Sequence, residues 1–219
     1  MSNAPRSEPP GGRFRRASYS QFGEDRFVLA YFGERRGGTY VDVGCFDAWK
    51  FSNTALLHVD YGWRGLNIDA SPRAVEALRA ARPEDRTLLC GVGEAADALT
   101  FHIFERGTVS TFDAEAAARL EAAGEPVIER RKVPVRSLGD ILEEAEIAEI
   151  DFLDVDCEGW DFSVLRSLDW RRWRPKLVSA ELGGFDITDP YGSGAAGFMH
   201  QQGYELVSYI GPSAFFAPL

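Results

Sequence analysis

The chain is poor in cysteine and has no long hydrophobic run, and both absences exclude classes of protein. Its 219 residues include three cysteines, Cys45, Cys90 and Cys157, with no CxxC pair. This pattern predicts reduced, buried thiols and a cytoplasmic location rather than a disulfide framework. A catalytic cysteine would need a nearby base, which the sequence does not supply. No apolar stretch reaches the ~18 residues of a transmembrane helix, and the N-terminus lacks the apolar core of a secretory signal.

Basic residues are also in the minority. The formal net charge is −10 at pH 7, whereas proteins that bind nucleic acids or anionic membranes need a basic face. We therefore expect no nucleic-acid partner and no membrane partner. A small-molecule partner remains compatible with this charge, and the sequence leaves open whether the chain forms a homo-oligomer.

The apolar content of the chain is sufficient for one folded domain. Hydrophobic residues make up 45% and aromatic residues 12% of the sequence, which supports a sizeable core. Residues 1–16 are rich in proline, glycine and arginine and show no periodicity, which predicts a disordered tail. We therefore predict a single domain over residues 17–219.

Strand patterns alternate with helical patterns along most of the chain. Strands are predicted at GTYVDVG, GLNIDA, RTLLCGVG, ALTFHIFE, EPVIERRKVPVRS, IDFLDVDCEG and PKLVSAEL, and helices at NTALLHVDY, SPRAVEALRAAR, SLGDILEEAEI, WDFSVLRSL and GAAGFMHQQG. Ser71 and Ser137 are suited to be helix N-caps, and Pro72 to be a first helical residue. The alternation predicts an α/β three-layer sandwich with a mainly parallel, doubly wound sheet. YELVSYIG and SAFFAP predict an antiparallel edge hairpin at the C-terminus.

The segment ASYSQFGEDRFVLAYFG predicts the first helix. Glu24 and Asp25 occupy its first turn, where the helix dipole favours acids. Its apolar residues share one face, which we expect to be buried: Phe27, Val28, Tyr31 and Phe32.

Acidic residues stand at the carboxyl ends of most predicted strands. They are Asp42, Asp69, Asp154 with Asp156 and Glu158, and Glu181. Ligands of open α/β sheets bind beyond the carboxyl ends of the strands. Because unpaired carboxylates there do not stabilise a sheet, the sequence predicts a functional crevice at this edge.

The turn after the first strand has one glycine, Gly44, where a dinucleotide fingerprint has three. Asp42 and Asp47 would repel a pyrophosphate, but they suit a cationic ligand without phosphates, such as S-adenosylmethionine. Asp69 lies 25 positions after Gly44, where a nucleotide-binding fold places an acid for the ribose hydroxyls. Asp69 could instead cap the following helix, but Ser71 already supplies that cap.

Five segments in order resemble the signature segments of FkbM-type methyltransferases, a Rossmann-like branch of the S-adenosylmethionine-dependent family. They are YSQFGEDRFVL, YVDVGCFDAWKFSNT, GLNIDASP, TLLCGVG and IDFLDVDCEGWDFSVL. The resemblance runs from about Tyr19 to Leu182 and implies methyl transfer, most often to a hydroxyl of a sugar or secondary metabolite. Similar proteins often carry Ala-Asn-Asp-Gly after the glycine, where this chain has Cys45-Phe46-Asp47-Ala48. The shape of this loop is therefore expected to differ.

The resemblance also implies which residues bind the methyl donor. Asp47 and residues 52–54 would line the methionine side of the cofactor. Asp69 would bind the ribose, and Gly91 and Val92 would border the adenine. Gln21 would either close over the cofactor or cap the first helix. The full expected set is Gln21, Asp42, Gly44, Asp47, Ser52, Asn53, Thr54, Asp69, Ala70, Gly91, Val92 and Asp154.

Methyl transfer to a hydroxyl requires an aligned acceptor and removal of its proton. Asp156 and Glu181 are the candidate bases, with His200 as a more distant one. Glu158 has an alternative role as a first-turn acid of the next helix. The glycine-rich loops at 106–112 and 183–194 are expected to shape the acceptor pocket.

A metal site is an alternative use of the same acids. Asp156 and Glu181, with Asp186 or Asp189, could offer oxygen ligands to Mg²⁺. A bound Mg²⁺ would lower the pKa of the acceptor hydroxyl without a separate base. His58 and His102 lie within a predicted helix and a predicted strand, and we expect both to be structural.

Two other function classes compete with a methyltransferase. An NAD-dependent oxidoreductase would need GxGxxG and a proton relay, and neither is present. A non-catalytic nucleotide-binding or scaffold protein with the same fold is disfavoured by the acids at the strand ends, but they do not exclude it.

Overall fold

Ten strands form two sheets in the computed structural model, which describes residues 18–94, 97–183, 185–186, 188–192 and 194–219. The tail predicted for residues 1–16 lies outside the described residues. The strands are β1 (Thr39–Val43), β2 (Arg64–Asp69), β3 (Arg86–Leu89), β4 (Gly91–Val92), β5 (Ala98–Phe104), β6 (Val127–Arg136), β7 (Phe152–Val155), β8 (Leu177–Glu181), β9 (Tyr204–Ile210) and β10 (Ser213–Pro218).

The main sheet has seven strands in the order β3-β2-β1-β7-β8-β10-β9. Strands β3, β2, β1, β7 and β8 are parallel to their neighbours, and β10 is antiparallel to both β8 and β9. Strand order therefore reverses at β1, as in a doubly wound fold. This topology confirms the predicted parallel sheet and its antiparallel C-terminal hairpin.

Helices cover both faces of the main sheet. They are α1 (Glu24–Tyr31), α2 (Ala55–Tyr61), α3 (Pro72–Ala81), α4 (Ala114–Ala122), α5 (Leu138–Glu144), α6 (Asp161–Arg166) and α7 (Gly194–Gln201). Apolar residues of α1 and α2 pack with Tyr40, Phe152 and Phe215 on one face of the sheet. Residues of α5, α6 and α7 pack with Val41, Leu153 and others on the opposite face. The chain thus forms the predicted three-layer sandwich.

The helix caps predicted from the sequence are present. The Ser71 hydroxyl accepts a hydrogen bond from the Ala74 amide at the start of α3, and Ser137 accepts one from the Asp140 amide at the start of α5. Pro72 is the first residue of α3. No helix in the described part of the chain is both long and apolar enough to span a membrane.

The structure contains a small second sheet that we did not predict from the sequence. Strands β4, β6 and β5 form it, with β5 and β6 antiparallel. The predicted strand RTLLCGVG divides at Cys90, so β3 joins the main sheet and β4 joins the small one. Helix α4 was also missed, although Asp113 caps it by accepting the amides of Glu115 and Ala116. An aspartate before an alanine-rich stretch is the signal that would have found it.

The buried face of α1 differs from the prediction. Val28 and Leu29 are fully buried, whereas Tyr31 is 41% exposed. The acids of the first turn are buried as well, because they bind the segment before the helix. The Asp25 carboxylate accepts the amides of Tyr19 (2.7 Å) and Ser20 (3.4 Å). The role of these acids is therefore to hold residues 18–23 in place, in addition to any effect on the helix dipole.

Candidate active site

The carboxyl ends of four parallel strands meet at one edge of the main sheet. Strands β2, β1, β7 and β8 lie side by side in parallel register. The residues that end or follow them are Asp69, Gly44, Asp156 and Glu181. The structure therefore brings together the strand-end residues that the sequence pointed to, as the rule for open α/β sheets requires.

Gly44 turns the chain where no other residue fits. Its φ angle is +88°, and a Cβ built on it would lie well under 3.0 Å from the carbonyl oxygen of Asp156. The Asp156 amide in turn donates to the carbonyl of Val43 (3.0 Å). The glycine thus allows the turns after β1 and β7 to touch.

Asp69 anchors the loop that follows Gly44. Its carboxylate accepts the Phe46 amide (2.9 Å) through Oδ2 and the Ser71 amide (2.7 Å) through Oδ1. Phe46 has a φ of +46°, an unfavourable angle for a side chain of this size, and this bond helps to hold it. Burial raises the pKa of Asp69 to about 6. Each carboxylate oxygen keeps a lone pair for a ligand.

Asp42 and Asp154 lie in a buried polar row across the sheet. The row runs through Asn67, Asp42, Asp154 and Ser179, which are register partners on adjacent strands. Thr54 donates to Asp42 (2.6 Å), and Asn53 (3.2 Å) and Ser179 both donate to Asp154. Burial, reinforced by the charge of Asp42, raises the pKa of Asp154 to about 8.

These contacts give residues 52–54 a different role from the one predicted. We expected their side chains to line the methionine side of a cofactor together with Asp47, and we expected Asp42 and Asp154 to belong to the same cofactor-binding set. The structure instead buries them, and the contacts just described engage them with protein partners. Ser52 accepts the Ala55 amide (3.1 Å) at the start of α2. Their position is therefore below the crevice, where they support the loop.

Arg82 is a member of this network that sequence reasoning missed. Its side chain is fully buried at the C-terminal end of α3. The guanidinium donates to the hydroxyls of Thr54 (2.9 Å) and Ser52 (2.9 Å) and to the carbonyl of Ala48. An arginine near a helix end is usually solvated, so no local pattern indicates this burial.

Three carboxylates cluster after β7 and β8. One oxygen each from Asp156, Glu158 and Glu181 lies within 4.8 Å of the others. Desolvation by the packed strand ends and repulsion by Asp161 and the other two acids raise the pKa of Asp156 well above its usual range, although its side chain is partly exposed to solvent. Burial and repulsion by Glu181 and Asp161 raise the pKa of Glu158 to about 7. Burial also raises the pKa of Glu181. In the described part of the chain, this trio replaces the predicted set with Asp186 or Asp189 as the group with metal-compatible spacing.

Glu158 does not belong to the next helix, contrary to one of its predicted roles. It lies in a turn with a φ of +50°, and its carbonyl accepts the Thr111 hydroxyl (3.1 Å). Helix α6 begins later, and Asp161 is its first-turn acid. The carboxylate of Asp161 accepts the amides of Cys157 and Glu181, which joins the ends of β7 and β8.

The segment before α1 reaches this same edge. Phe22 packs against Gly211 in the turn between β9 and β10, and Ser213 after this turn pairs with Glu181. A cavity of about 770 Å³ lies between this segment and the loop after β1, lined by Ser18, Tyr19, Ser20, Asp47, Trp49, Lys50 and Phe51. Gln21 is exposed. The N-cap position of α1 is Gly23, so Gln21 is not the cap residue.

The other residues expected near the adenine pack against aromatic rings. A Cβ on Gly91 would lie 2.6 Å from the ring of Phe112, and the carbonyl of Val92 accepts the indole N–H of Trp160 (2.9 Å). Ala70 clusters with Phe101 beside Phe112. Gly107 lies next to the ring of Phe46, so the loop at 106–112 borders the crevice. Part of the loop at 183–194 lies outside the described residues.

Among the described residues, no histidine joins the cluster of potential metal ligands that Asp156, Glu158 and Glu181 form. His200 is in the last turn of α7, which leads to the amino end of β9, and its ring stacks on Tyr191 (4.4 Å between centroids). The amino ends of β8 and β9 lie at the edge opposite the crevice, so this position removes His200 from the candidate bases. Nδ1 of His58 lies 3.3 Å from the Asp85 carboxylate, which agrees with a structural role. Nδ1 of His102 is buried without a partner among the described residues.

The cysteines are free thiols in buried surroundings. Cys45 and Cys90 are buried, and Cys157 is half-buried. Burial raises the pKa of all three thiols. Because a nucleophilic cysteine needs a lowered pKa, these thiols are structural, as the sequence suggested.

The buried acids make a prediction about pH and stability. The pKa values of Asp69, Asp154 and Asp161 are raised to about 6, 8 and 7, so the folded state binds more protons than the unfolded state above pH ~4. Stability is then greatest at low pH in this range and is lost as the pH rises through 6 to 8. We expect the Tm of the ligand-free protein to fall by several degrees between pH 6 and pH 8.5, as calorimetry can measure.

Asp154→Asn should flatten this pH dependence, because it removes the group whose pKa is raised the furthest of the three. Asp186→Asn is the matched control, since Asp186 is exposed and its pKa is lowered by bonds to Thr188. A Tm that rises between pH 6 and pH 8.5 would contradict the prediction.

The fold and the edge together define a class of protein. A doubly wound sheet that reverses at β1, with an acid at the end of β2, is typical of Rossmann-like proteins that bind nucleotides or nucleosides. The sequence profile of the Methyltransferase FkbM domain matches residues 28–206. The chain therefore belongs to the FkbM family of S-adenosylmethionine-dependent methyltransferases.

Other comparisons are more distant. The chain is similar to a TehB-like SAM-dependent methyltransferase from Corynebacterium glutamicum (14% identity, 90% of this chain and 88% of that chain, TM-score 0.40). It is also similar to a putative RNA methyltransferase from Pyrococcus horikoshii (10% identity, 97% and 95%, TM-score 0.43) and to precorrin-6y C5,15-methyltransferase from Geobacter metallireducens (10% identity, 88% and 85%, TM-score 0.38). No curated protein sequence matches the chain significantly. The family assignment rests on the domain match.

Proposed function

We propose that this protein transfers the methyl group of S-adenosylmethionine to a hydroxyl of a sugar or a secondary metabolite. Membership of the FkbM family supports the methyl transfer. The observation that carries the hydroxyl acceptor is the carboxylate trio Asp156, Glu158 and Glu181 at the carboxyl edge. A hydroxyl must lose its proton during methylation, and carboxylates with raised pKa values are suited to take it.

The negative charge at the carboxyl edge of the main sheet suits a positively charged methyl donor. Bound S-adenosylmethionine supplies an electrophilic methyl group on a positively charged sulfur. The acids Asp47, Asp69, Asp156, Glu158 and Glu181 surround the crevice or follow its strands, and a cation is attracted to such a site. A dinucleotide with two phosphates would be repelled by the same acids.

The positions of the residues at the carboxyl edge of the sheet indicate which of them would bind the donor. Asp69 would accept the ribose hydroxyls through the lone pairs that its two backbone bonds leave free. Gly91, Val92 and Ala70 would border the adenine, near the rings of Phe112 and Trp160. Asp47 and Gln21 lie on the two sides of the crevice nearest the cavity and would border the methionine end.

Glu158 is the strongest candidate for the base. Its pKa of about 7 lets it be ionised at neutral pH and still accept a proton readily. The backbone turn that carries Glu158 is held by Thr111, which orients the side chain. Burial, together with the negative charges of Glu181 and Asp161, keeps the pKa of Glu158 high, and Asp156 and Glu181 would share the proton.

The acceptor would enter through the cavity of about 770 Å³, which is in the size range of small-molecule pockets. Tyr19, Trp49 and Phe51 give it aromatic walls, which suit the apolar face of a sugar ring or an aromatic metabolite. Phe51 is 41% exposed with a φ of +62°, and strained residues of this kind concentrate at functional sites.

Replacing Asp69 tests the donor site. Asp69→Ala should weaken S-adenosylmethionine binding by ~1–3 kcal/mol, or ~5- to 150-fold in Kd, because it removes charged hydrogen bonds to the ribose. Isothermal titration calorimetry measures this change. Glu76→Ala, which removes an exposed carboxylate from α3, should leave the Kd unchanged.

Titration with NAD in the same calorimetry experiment tests the competing hypothesis of an oxidoreductase. We expect S-adenosylmethionine and its demethylated product to bind and NAD not to bind. Tight NAD binding, or no binding of the donor and product at millimolar concentration, would refute the proposed function. An unchanged Kd for Asp69→Ala would refute only the ribose role.

A further inference from the structure

The loop between β1 and α2 (residues 44–54, the β1–α2 loop) carries several residues that the proposed function uses, and it has no regular secondary structure. We propose that Arg82 is a positioning residue that holds this loop in the shape required to bind the donor and the acceptor. The inference rests on the proposed function, because that function gives the loop its role. Arg82 itself touches neither ligand.

Arg82 binds the loop at three separate points. One terminal nitrogen, Nη1, donates to the Thr54 hydroxyl (2.9 Å), and the other, Nη2, donates to the Ser52 hydroxyl (2.9 Å) and the Ala48 carbonyl. Only a planar guanidinium presents donors in such a fork. Through one side chain, the end of α3 is tied to both halves of the loop.

The loop needs this support because its backbone is strained. Phe46 and Phe51 have φ angles of +46° and +62°, in the region that large side chains avoid. Asp69 holds Phe46 by a hydrogen bond to its amide. Arg82 holds Ala48, which lies between the two strained residues, and Ser52, which directly follows the second. Without these contacts the loop is free to relax away from the strained conformation.

The burial of Arg82 points to a role beyond packing. Burying a guanidinium is costly, and an apolar residue of similar size would fill the same space at no electrostatic cost. Its Nε has no hydrogen-bond partner among the described residues, so its environment does not fully compensate it. The ring of Trp49, which lines the cavity, lies 5.6 Å from the guanidinium carbon. Apart from a longer bond from Nη1 to the Tyr40 hydroxyl (3.4 Å), the donors that are satisfied are those that reach the loop.

The central experiment replaces Arg82 by lysine. A single ammonium group cannot reach Thr54, Ser52 and Ala48 together, so we expect the Kd for S-adenosylmethionine to rise about tenfold to a hundredfold, the effect of a misplaced binding loop. Calorimetry is performed at a temperature well below the Tm of each variant. Circular dichroism confirms that each variant is folded.

Arg79→Lys is the matched control. Arg79 lies one turn earlier on α3, and its guanidinium donates only to the Thr87 carbonyl (3.0 and 3.3 Å). This variant also loses a forked contact, but the contact does not involve the loop. We expect a lower Tm at most and a wild-type Kd.

Trypsin provides a readout that does not depend on any ligand. Lys50 is an exposed residue of the loop, and cleavage after it requires the loop to leave its folded shape. We expect cleavage after Lys50, followed by mass spectrometry, to be faster in Arg82→Lys than in the wild type. It should be unchanged in Arg79→Lys.

A second variant covers the case in which Arg82→Lys does not fold. Ser52→Ala removes one contact to Arg82 and keeps the buried charge, so we expect the Kd to rise about threefold to tenfold, the value of one hydrogen bond. Wild-type Kd and wild-type cleavage in the folded variants would overturn the positioning role. If the wild type itself does not bind the donor, the proposed function fails, and the cleavage rates still decide whether Arg82 holds the loop.

Discussion

Replacing Glu158 by glutamine should lower kcat for methyl transfer by about 10²- to 10⁴-fold, the usual contribution of a general base. The amide keeps the size of the side chain but cannot take a proton from the acceptor hydroxyl. Because Glu158 is proposed to act on the acceptor, the Kd for S-adenosylmethionine should stay within about twofold of the wild type. The rate is measured on a hydroxyl acceptor identified by the mass shift of one methyl group.

The pH dependence of the rate tests the same role. The base must be ionised to act, and burial raises the pKa of Glu158 to about 7. The wild-type kcat should therefore rise with pH through about 7 and then level off. This rise should disappear in Glu158→Gln, because the group that titrates has been removed.

Two neighbouring variants locate the base within the trio. Asp156→Asn and Glu181→Gln should lower kcat less than Glu158→Gln, and Glu181→Gln should also shift the pKa seen in the rate profile downward, because it removes a negative charge that raises the pKa of Glu158. Glu143→Gln, an exposed carboxylate on α5, should change neither. If all three variants of the trio retain more than about a tenth of kcat, the base assignment is wrong. Loss of activity on chelation, restored by Mg²⁺, would instead assign the trio to a metal.

Gly44→Ala should destabilise the fold by about 2–5 kcal/mol or prevent folding. The substitution forces an alanine to a φ of +88°, which costs ~1–2 kcal/mol, and overpacks the turn after β7, which costs ~1–3 kcal/mol. The new methyl group would collide with the carbonyl of Asp156, and a backbone atom cannot move aside as a side chain does. Urea unfolding followed by tryptophan fluorescence measures the loss.

Gly124→Ala separates the two contributions. Gly124 has nearly the same φ, +90°, but a Cβ there would have nothing within 4 Å. This variant should therefore lose only the ~1–2 kcal/mol of backbone strain. Equal losses for the two variants would show that the contact between the turns after β1 and β7 contributes nothing to stability.

Much of the fold was predictable because its signals are local. The alternation of strands and helices follows from apolar periodicity within ten residues, and the caps at Ser71 and Ser137 need only the following turn. The position of Asp69 was predictable for a similar reason. Asp69 ends a strand whose direction is set by the βαβ unit, so its place at the carboxyl edge follows from chain order.

The local signals were misleading where burial depends on distant partners. The acids Glu24 and Asp25 were predicted only as partners of the α1 dipole, yet they are also buried and bind residues 18–23. His200 looked like a candidate base, yet α7 carries it to the opposite edge of the sheet. In both cases the sequence shows which side chain is present, but the residues that surround this side chain in the folded protein belong to other elements of the chain.

The amino-acid sequence was enough to predict a mainly parallel α/β sheet with acids at the carboxyl ends of its strands, because periodicity, caps and strand direction are local properties. Which of these acids face the crevice depends on the tertiary fold. Strand register places Asp42 and Asp154 in a buried row, and the adjacent ends of β7 and β8 bring Glu158 to Glu181. The contact of Arg82 with a loop about 30 residues earlier likewise required the folded chain, because no local pattern encodes which distant groups will meet.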